Sequence, residues 1–429
     1  MRTVFFGSPG TGKTAQLTSL FDEIRDKGVP LDDICFITYT RPAAIEFRER
    51  IGITQKEAHY IGTLHSICFH ALSEPTLVIP RNMMDFCELY GIPTTIDVQE
   101  EDTGFFEIRN YTQGEFLFSA LDWARHICPD NPKSHLYDAP SAVYLDDFLR
   151  SNLEKYYDLW EKFKAQYRLV DFTDLLLQCY FENYTPPTKI LFADEFQDFT
   201  YLQYQLYSRF ASASKDVYIA GDEDQTIYGW NGANPEYMLN TPRDKKVILD
   251  KTYRLPKNIL DFSNKLITQI HRREPKSIAP RCDGGIVKSI SIDNAQDILK
   301  EASGKTFLLF RTNYMFGKFA DLLFEDCVPY HLIKGESRWS PKFLTLCSIF
   351  KKMYREEPLI LPEISCLLSY LPVKGLLKRG MKTQIEALMK DERRVLLTYY
   401  NINEFLIRPL ATNELLNYVK LPGDYIQNI

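Results

Sequence analysis

RTVFFGSPGTGKT, residues 2–14, is the stretch from which the rest of the chain can be read. A short run ending in three apolar residues, Val4 to Phe6, leads into a loop with glycines at 7, 10 and 12. The loop opens onto a segment in which Leu17, Leu20, Phe21 and Ile24 share one helical face. Strand, glycine-rich loop, helix is the context a phosphate-binding loop needs. Gly7, Ser8, Pro9, Gly10, Thr11, Gly12, Lys13 and Thr14 are therefore expected to cradle a nucleotide. Glycines let backbone N–H groups turn inward around phosphate oxygens, at a helix start that favours negative charge. Lys13 stands where it can reach the β- and γ-phosphates, and Thr14 where it can ligate Mg2+.

Hydrolysis needs a carboxylate at the end of a second buried strand, and KILFADEFQD (189–198) supplies one. Ile190 to Ala193 is the expected strand, with Asp194 and Glu195 at its carboxyl end, where open α/β sheets place their ligands. Asp194 would hold the metal through water and Glu195 would position or deprotonate the attacking water. A third contact comes from GDEDQTIYGWNGA (221–233), which follows the short strand VYIAG. The Gln225 amide can sense a γ-phosphate without adding charge. The same loop carries Tyr228 and Trp230 among polar residues and glycines, a poor pattern for a core strand. In LDKTYRLPKNIL (249–260), Arg254 can act on a transferring phosphate and Tyr253 can stack on a purine.

These segments together resemble the superfamily 1 DNA helicases of the UvrD/Rep/PcrA type, in order over most of residues 1–345. GSPGTGKT is similar to motif I and FITYTRPAAIEFRERI (36–51) to motif Ia. GTLHS (62–66) resembles the TFHS element and DFTDLL (171–176) the family's DFDDLL. DEFQD is similar to motif II, GDEDQTIYGWNGA to motif III, TYR (252–254) to motif IV and LLFRTN (308–313) to motif IVa. The resemblance implies that Lys13, Thr14, Asp194, Glu195, Gln225 and Arg254 serve ATP and Mg2+, with Tyr253 on the adenine. It also implies that Tyr39, Thr63, His65, Tyr228 and Trp230 line a track for single-stranded DNA, where aromatic stacking holds bases without reading them. The expected activity is 3′→5′ movement on single-stranded DNA and at single-/double-strand junctions, with ATP hydrolysed between two RecA-like domains.

Some of the family's pattern is missing. No glutamine element precedes the first strand, and Ala15 stands where an arginine is frequent. Neither motif V nor motif VI follows, and LPGDYIQNI (421–429) resembles the run into motif V. A fragment lacking those motifs is the simplest expectation, with a natural minimal protein or a second chain supplying them as alternatives. Rival functions are the motor of a helicase–nuclease, an RNA-directed helicase, and an ATP-gated single-strand binding module with little turnover.

Length and composition set the frame for this reading. A chain of 429 residues calls for about two to four domains. No apolar run approaches the roughly 20 residues that span a bilayer, and the apolar start is too short for a signal peptide. Nine cysteines without a CxxC pair read as reduced thiols of a cytoplasmic protein. The net charge is −6, but residues 251–429 carry a surplus of nine positive charges, so attraction for a polyanion is expected there and in local grooves. Alternating strands and helices over 1–70 and 170–250 indicate a first RecA-like parallel-sheet domain. Residues 71–169 read as a helical insertion, with the 141–167 segment packing a core. Residues 251–345 read as a second, incomplete RecA-like domain with strands IVKSISI, TFLLF and YHLI, and 346–429 as a small helical insertion.

Overall fold

The computed structural model describes residues 1–54, 59–95, 112–291, 306–310, 313–325, 328, 330–332, 341–371, 377–378, 399–400, 406 and 415. Contacts divide the chain into two units, Met1–Val287 and Lys288–Ile429.

The first unit is built on a six-stranded sheet. Its strands are β1 (Arg2–Phe6), β2 (Ile34–Thr38), β3 (Ile61–Thr63), β4 (Ile190–Ala193), β5 (Asp216–Gly221) and β6 (Lys245–Ile248), in the order β3-β2-β4-β5-β1-β6. Every pairing is parallel. The near-continuous apolar runs follow from burial on both faces, since successive side chains point to opposite sides. Val4, Phe6, Cys35, Ile37, Leu191, Ala193, Val217 and Ile219 face one layer. Phe5, Ile34, Phe36, Ile190, Phe192 and Ala220 face the other. On that second face Phe36 stacks on Phe192 at 5.3 Å and on Phe47 at 3.8 Å, and Phe21 meets the group edge-on.

Helices α1 (Lys13–Asp26) and α2 (Arg41–Arg50) cover the phenylalanine face. Helix α3 (Leu64–Ala71) belongs to the opposite layer. Between α3 and β4 lies a helical insertion, with α4 (Pro80–Leu89), α5 (Gln113–Ile127), α6 (Asp147–Ser151) and α7 (Leu153–Tyr167) around Phe86, Leu117, Leu121 and Trp160. Helix α8 (Phe172–Phe181) returns to the sheet, and α9 (Tyr201–Ala213) packs beside it. Asp171 caps α8 by accepting the Asp174 N–H at 2.8 Å.

One buried ionic network ties the insertion to α8. The Arg125 guanidinium donates to Asp171 (2.9 and 3.2 Å), to Asp174 (3.0 Å) and to Asp122. The Lys164 ammonium donates to Asp171 at 2.9 Å and to Asp174 at 2.6 Å. Two cations among carboxylates offset a burial that neither sign tolerates alone.

Short helix α10 (Glu236–Asn240) precedes β6, and α11 (Lys257–Ile267) follows it. The first unit therefore extends beyond residue 250, the sequence-based boundary, to 287. Specific bonds account for the difference. Thr252 Oγ1 donates to Pro9 O at 2.7 Å, Tyr253 N–H to Gly10 O at 2.8 Å, and Lys246 pairs with Glu274 at 2.8 Å.

In the second unit, Pro341–Tyr354 and Leu361–Leu368 are helical around Leu346, Ile349, Phe350, Ile364 and Leu367, and Asn313–Glu325 is a further helix. Leu359–Ile360 pairs antiparallel with Tyr399–Tyr400. The described parts of the three expected strands, 286–291, 306–310 and 330–332, lie outside any strand. A strand exists only where a neighbour completes its ladder, and no such neighbour stands among the described residues. Residues 311–312 of LLFRTN and all of LPGDYIQNI lie outside the described residues.

Candidate nucleotide pocket and nucleic-acid face

Because the strands are parallel, the residues following β1, β4 and β5 emerge along one carboxyl edge, and β4, β5 and β1 are consecutive in the sheet. That edge brings residues 7–14, 194–195 and 222–225 together. A cleft of about 430 Å3 is lined by Pro9 to Ala15, Glu195, Gln225, Tyr253 and Arg254, joined by Arg50 from the end of α2.

The loop conformation explains its glycines. Gly10 and Gly12 have φ of +75° and +83°, left-handed values that an L side chain resists. A Cβ on Gly10 would also stand 2.3 Å from the Arg254 Cβ, so the TYR segment packs directly against this glycine. The Lys13 ammonium donates to Gly7 O at 3.0 Å, curling over the loop.

Thr14 Oγ1 donates to Asp194 Oδ2 at 2.6 Å, so the two expected metal-site side chains are in contact. Both offer only oxygen, the donor type of a hard divalent cation. Burial, then the Glu195 carboxylate, push Asp194 up to about 6. A carboxylate so placed gains from a cation beside it, so the residues present fit Mg2+. Glu195 itself has φ 49° and ψ 44°, an unusual backbone for a non-glycine residue at a point where the chain must turn sharply off β4. Gln197 Nε2 donates to Glu195 Oε2 at 2.9 Å and fixes that carboxylate.

The loop after β5 makes two short turns, Glu223–Gln225 and Gly229–Asn231. The carbonyl of Tyr228 accepts the N–H groups of Asn231 (2.9 Å) and Ala233 (3.2 Å), a tight turn that carries Trp230 outward. Gly232, at φ +92°, closes it. Trp230 is 48% exposed, while the Tyr228 ring is half-buried, 5.2 Å from Tyr39 and 6.4 Å from Trp230.

The remaining track candidates are inside the molecule. Tyr39 is 5% exposed and floors Tyr228; burial, then Asp198, push its phenol far up. Thr63 is buried and caps α3 by accepting the Ser66 N–H at 3.2 Å. His65 is buried too, and burial lowers it to about 4, so the imidazole is neutral. Its ring meets Phe172 edge-on at 6.1 Å, and Phe172 is exposed. The structure thus joins Tyr39, Tyr228 and Trp230 in one aromatic step, and supports Phe172 from His65. Neither Phe172 nor Arg50 stands out as a site residue in the sequence. An exposed phenylalanine at a helix start had a signal in DFTDLL, whereas Arg50 was one arginine in a charged helix end.

A parallel sheet with a phosphate-type loop at its carboxyl edge, facing paired carboxylates, defines a RecA-like P-loop nucleotide-binding domain. The family model described as the UvrD/REP helicase N-terminal domain matches residues 2–246, and the chain belongs to this family. It is 27% identical over 369 residues to the ATP-dependent DNA helicase PcrA of Staphylococcus epidermidis RP62A, covering 78% of this chain and 49% of that protein. It is 25% identical, with the same coverage, to the ATP-dependent DNA helicase PcrA of Staphylococcus aureus Mu50. The chain thus spans about half the length of the curated relatives it matches.

Proposed function

We propose that the chain is the ATP-driven part of a DNA translocase that moves 3′→5′ along single-stranded DNA and acts at single-/double-strand junctions. The observation that carries this reading is that one loop contributes Gln225 to the cleft and, three and five residues later, Tyr228 and the exposed Trp230. A change at the phosphate end of so short a segment displaces its aromatic end, which is how a bound γ-phosphate biases a switch loop. Lys13 and Arg254 would neutralise the phosphates, and Glu195 would orient and deprotonate the attacking water. Tyr253, 65% exposed at the cleft, would stack on the adenine. Thr14 and Asp194 would hold Mg2+, which when bound neutralises charge on the phosphate oxygens. Trp230, Tyr228 and Phe172 would offer flat faces to bases, with Tyr39 behind Tyr228 and His65 behind Phe172.

No helix among the described residues is long and apolar enough to cross a membrane. Free thiols, among them buried Cys35, Cys68 and Cys179, favour a reducing, cytoplasmic setting. The test is ATPase activity of residues 1–429 with Mg2+, alone and with single-stranded DNA, RNA or duplex. Stimulation greatest with single-stranded DNA is expected. Nucleotide-dependent DNA binding without turnover would make the chain a gated binding module instead, and preference for RNA would overturn the substrate.

A further inference from the structure

We propose that Lys276 is a positioning residue for the loop that carries Gln225, its buried ammonium filling the place where three consecutive carboxylates would otherwise hold a cation. The inference rests on the reading of Gln225 as the phosphate-facing side chain. Asp222, Glu223 and Asp224 leave β5 with one carboxylate oxygen of each within 4.8 Å of those of the other two. Three like charges so close, and largely buried, repel one another and lose hydration. The Lys276 side chain is 0% exposed and answers all three, at 2.6 Å to Asp222 Oδ1, 2.8 Å to Glu223 Oε1 and 2.9 Å to Asp224 Oδ2. Arg273 adds a two-pronged contact to Asp224, from Nε at 2.8 Å and Nη2 at 2.6 Å, and the Glu274 N–H donates to Glu223 Oε1 at 2.8 Å. Burial alone would lower Lys276, but the carboxylates of Asp222 and Glu223 more than reverse it, so the ammonium stays charged.

The clamp reaches the cleft through Asp222. Its Oδ1 is held by Lys276, and its Oδ2 accepts from Gln225 Nε2. Its N–H donates at 3.0 Å to Gln197 Oε1, and Gln197 Nε2 donates in turn to Glu195 Oε2. Gly221 makes room for this bridge, because a Cβ there would stand 2.6 Å from Gln197 Oε1. One residue therefore separates Lys276 from Gln225, and two separate it from Glu195. Without the ammonium, Asp222 keeps no cationic partner on Oδ1 among the described residues, repulsion within the triplet opens the turn, and the Gln225 amide loses its anchor. A purely structural ion pair would lower stability on removal, yet leave the loop's response to nucleotide intact.

Hydrogen exchange on the full chain, with and without a non-hydrolysable ATP analogue and Mg2+, separates these outcomes. In K276M, residues 222–230 should exchange about tenfold faster or more, while β1 and β4 keep their protection. The analogue should slow exchange of that loop in the wild type and fail to do so in K276M, although its affinity changes by less than about threefold. R273K, which keeps a charge but loses the fork, should fall between them. A folded K276M whose loop exchanges like the wild type, or is still slowed by the analogue, overturns the proposal. Should K276M not fold, R273K decides, and unchanged loop exchange there overturns it equally. A wild type that binds no analogue removes the reading of the cleft, while the nucleotide-free comparison still judges the clamp.

Discussion

Replacing Gly10 by alanine tests the nucleotide loop where its geometry is most demanding. Two costs add at this position. The φ of +75° disfavours any Cβ by about 1–2 kcal/mol. The new methyl would also stand 2.3 Å from the Arg254 Cβ and 3.2 Å from the Arg254 backbone nitrogen, atoms that cannot swing away as a side-chain tip can. Relief requires residues 252–254 to lift, breaking the bonds from Thr252 Oγ1 to Pro9 O and from Tyr253 N–H to Gly10 O. Each such bond contributes about 0.5–1.5 kcal/mol, for a total of roughly 2–5 kcal/mol. Gly28 provides the control, with φ +83° and nothing within 4 Å of an added methyl, so G28A isolates the dihedral cost of about 1–2 kcal/mol. Denaturant unfolding of G10A, G28A and wild type gives the difference, and binding of a fluorescent ATP analogue gives its consequence. G10A should lose more stability than G28A and bind nucleotide at least about tenfold more weakly, because Tyr253 and Arg254 leave the cleft. Equal stabilities of the two variants, with nucleotide affinity intact, would refute the packing of the TYR segment on this loop.

Other consequences are open to direct measurement. Trp230→Ala should weaken single-stranded DNA binding by roughly 5- to 150-fold, the equivalent of about 1–3 kcal/mol of stacking, while nucleotide affinity stays put; fluorescence anisotropy at fixed salt reads both, and an unchanged DNA affinity removes Trp230 from the track. Glu195→Gln should retain nucleotide and lower turnover by about 10²–10⁴-fold, and near-normal turnover would assign the base elsewhere. Arg125→Met removes the ion pairs to Asp122, Asp171 and Asp174, of which Lys164 reaches the last two, and should cost about 3–5 kcal/mol in denaturant unfolding; a loss below about 1 kcal/mol would mean that the network is solvated. Burial, then Glu195, push Asp198 up to about 7. The native state therefore holds a proton that the unfolded chain has lost above about pH 4, and this contribution to stability falls as pH rises through 7. Asp198→Asn should remove that decline, gaining on the wild type more at pH 8 than at pH 5 in thermal unfolding; a constant difference would contradict it.

How much was legible in the residues depended on how far apart the interacting groups lie in the chain. The nucleotide loop, its strand and its helix occupy one continuous stretch, and local sterics alone demand glycine at positive φ. The runs at 34–38, 190–193 and 216–221 announce buried parallel strands for the same local reason, since both faces must be apolar. Asp194, Glu195 and Gln225 were accessible as strand-end residues because parallel strands deliver their carboxyl ends to one edge. Trp230 was accessible through the polarity of its neighbours. Burial of Tyr39, Thr63 and His65 was not, because exposure depends on which elements cover a residue, and spacing carries no record of that. Arg50, Arg273 and Lys276 read as ordinary members of charged segments. Only the folded chain brings Arg50 to the cleft and Lys276 to three carboxylates about fifty residues earlier. Residue order alone thus placed the glycine loop and the strand-end carboxylates, because each is a contiguous motif. Tertiary structure decided which side chains meet solvent and which distant charges neutralise one another, because burial and Coulomb energy depend on distance in space and not along the chain.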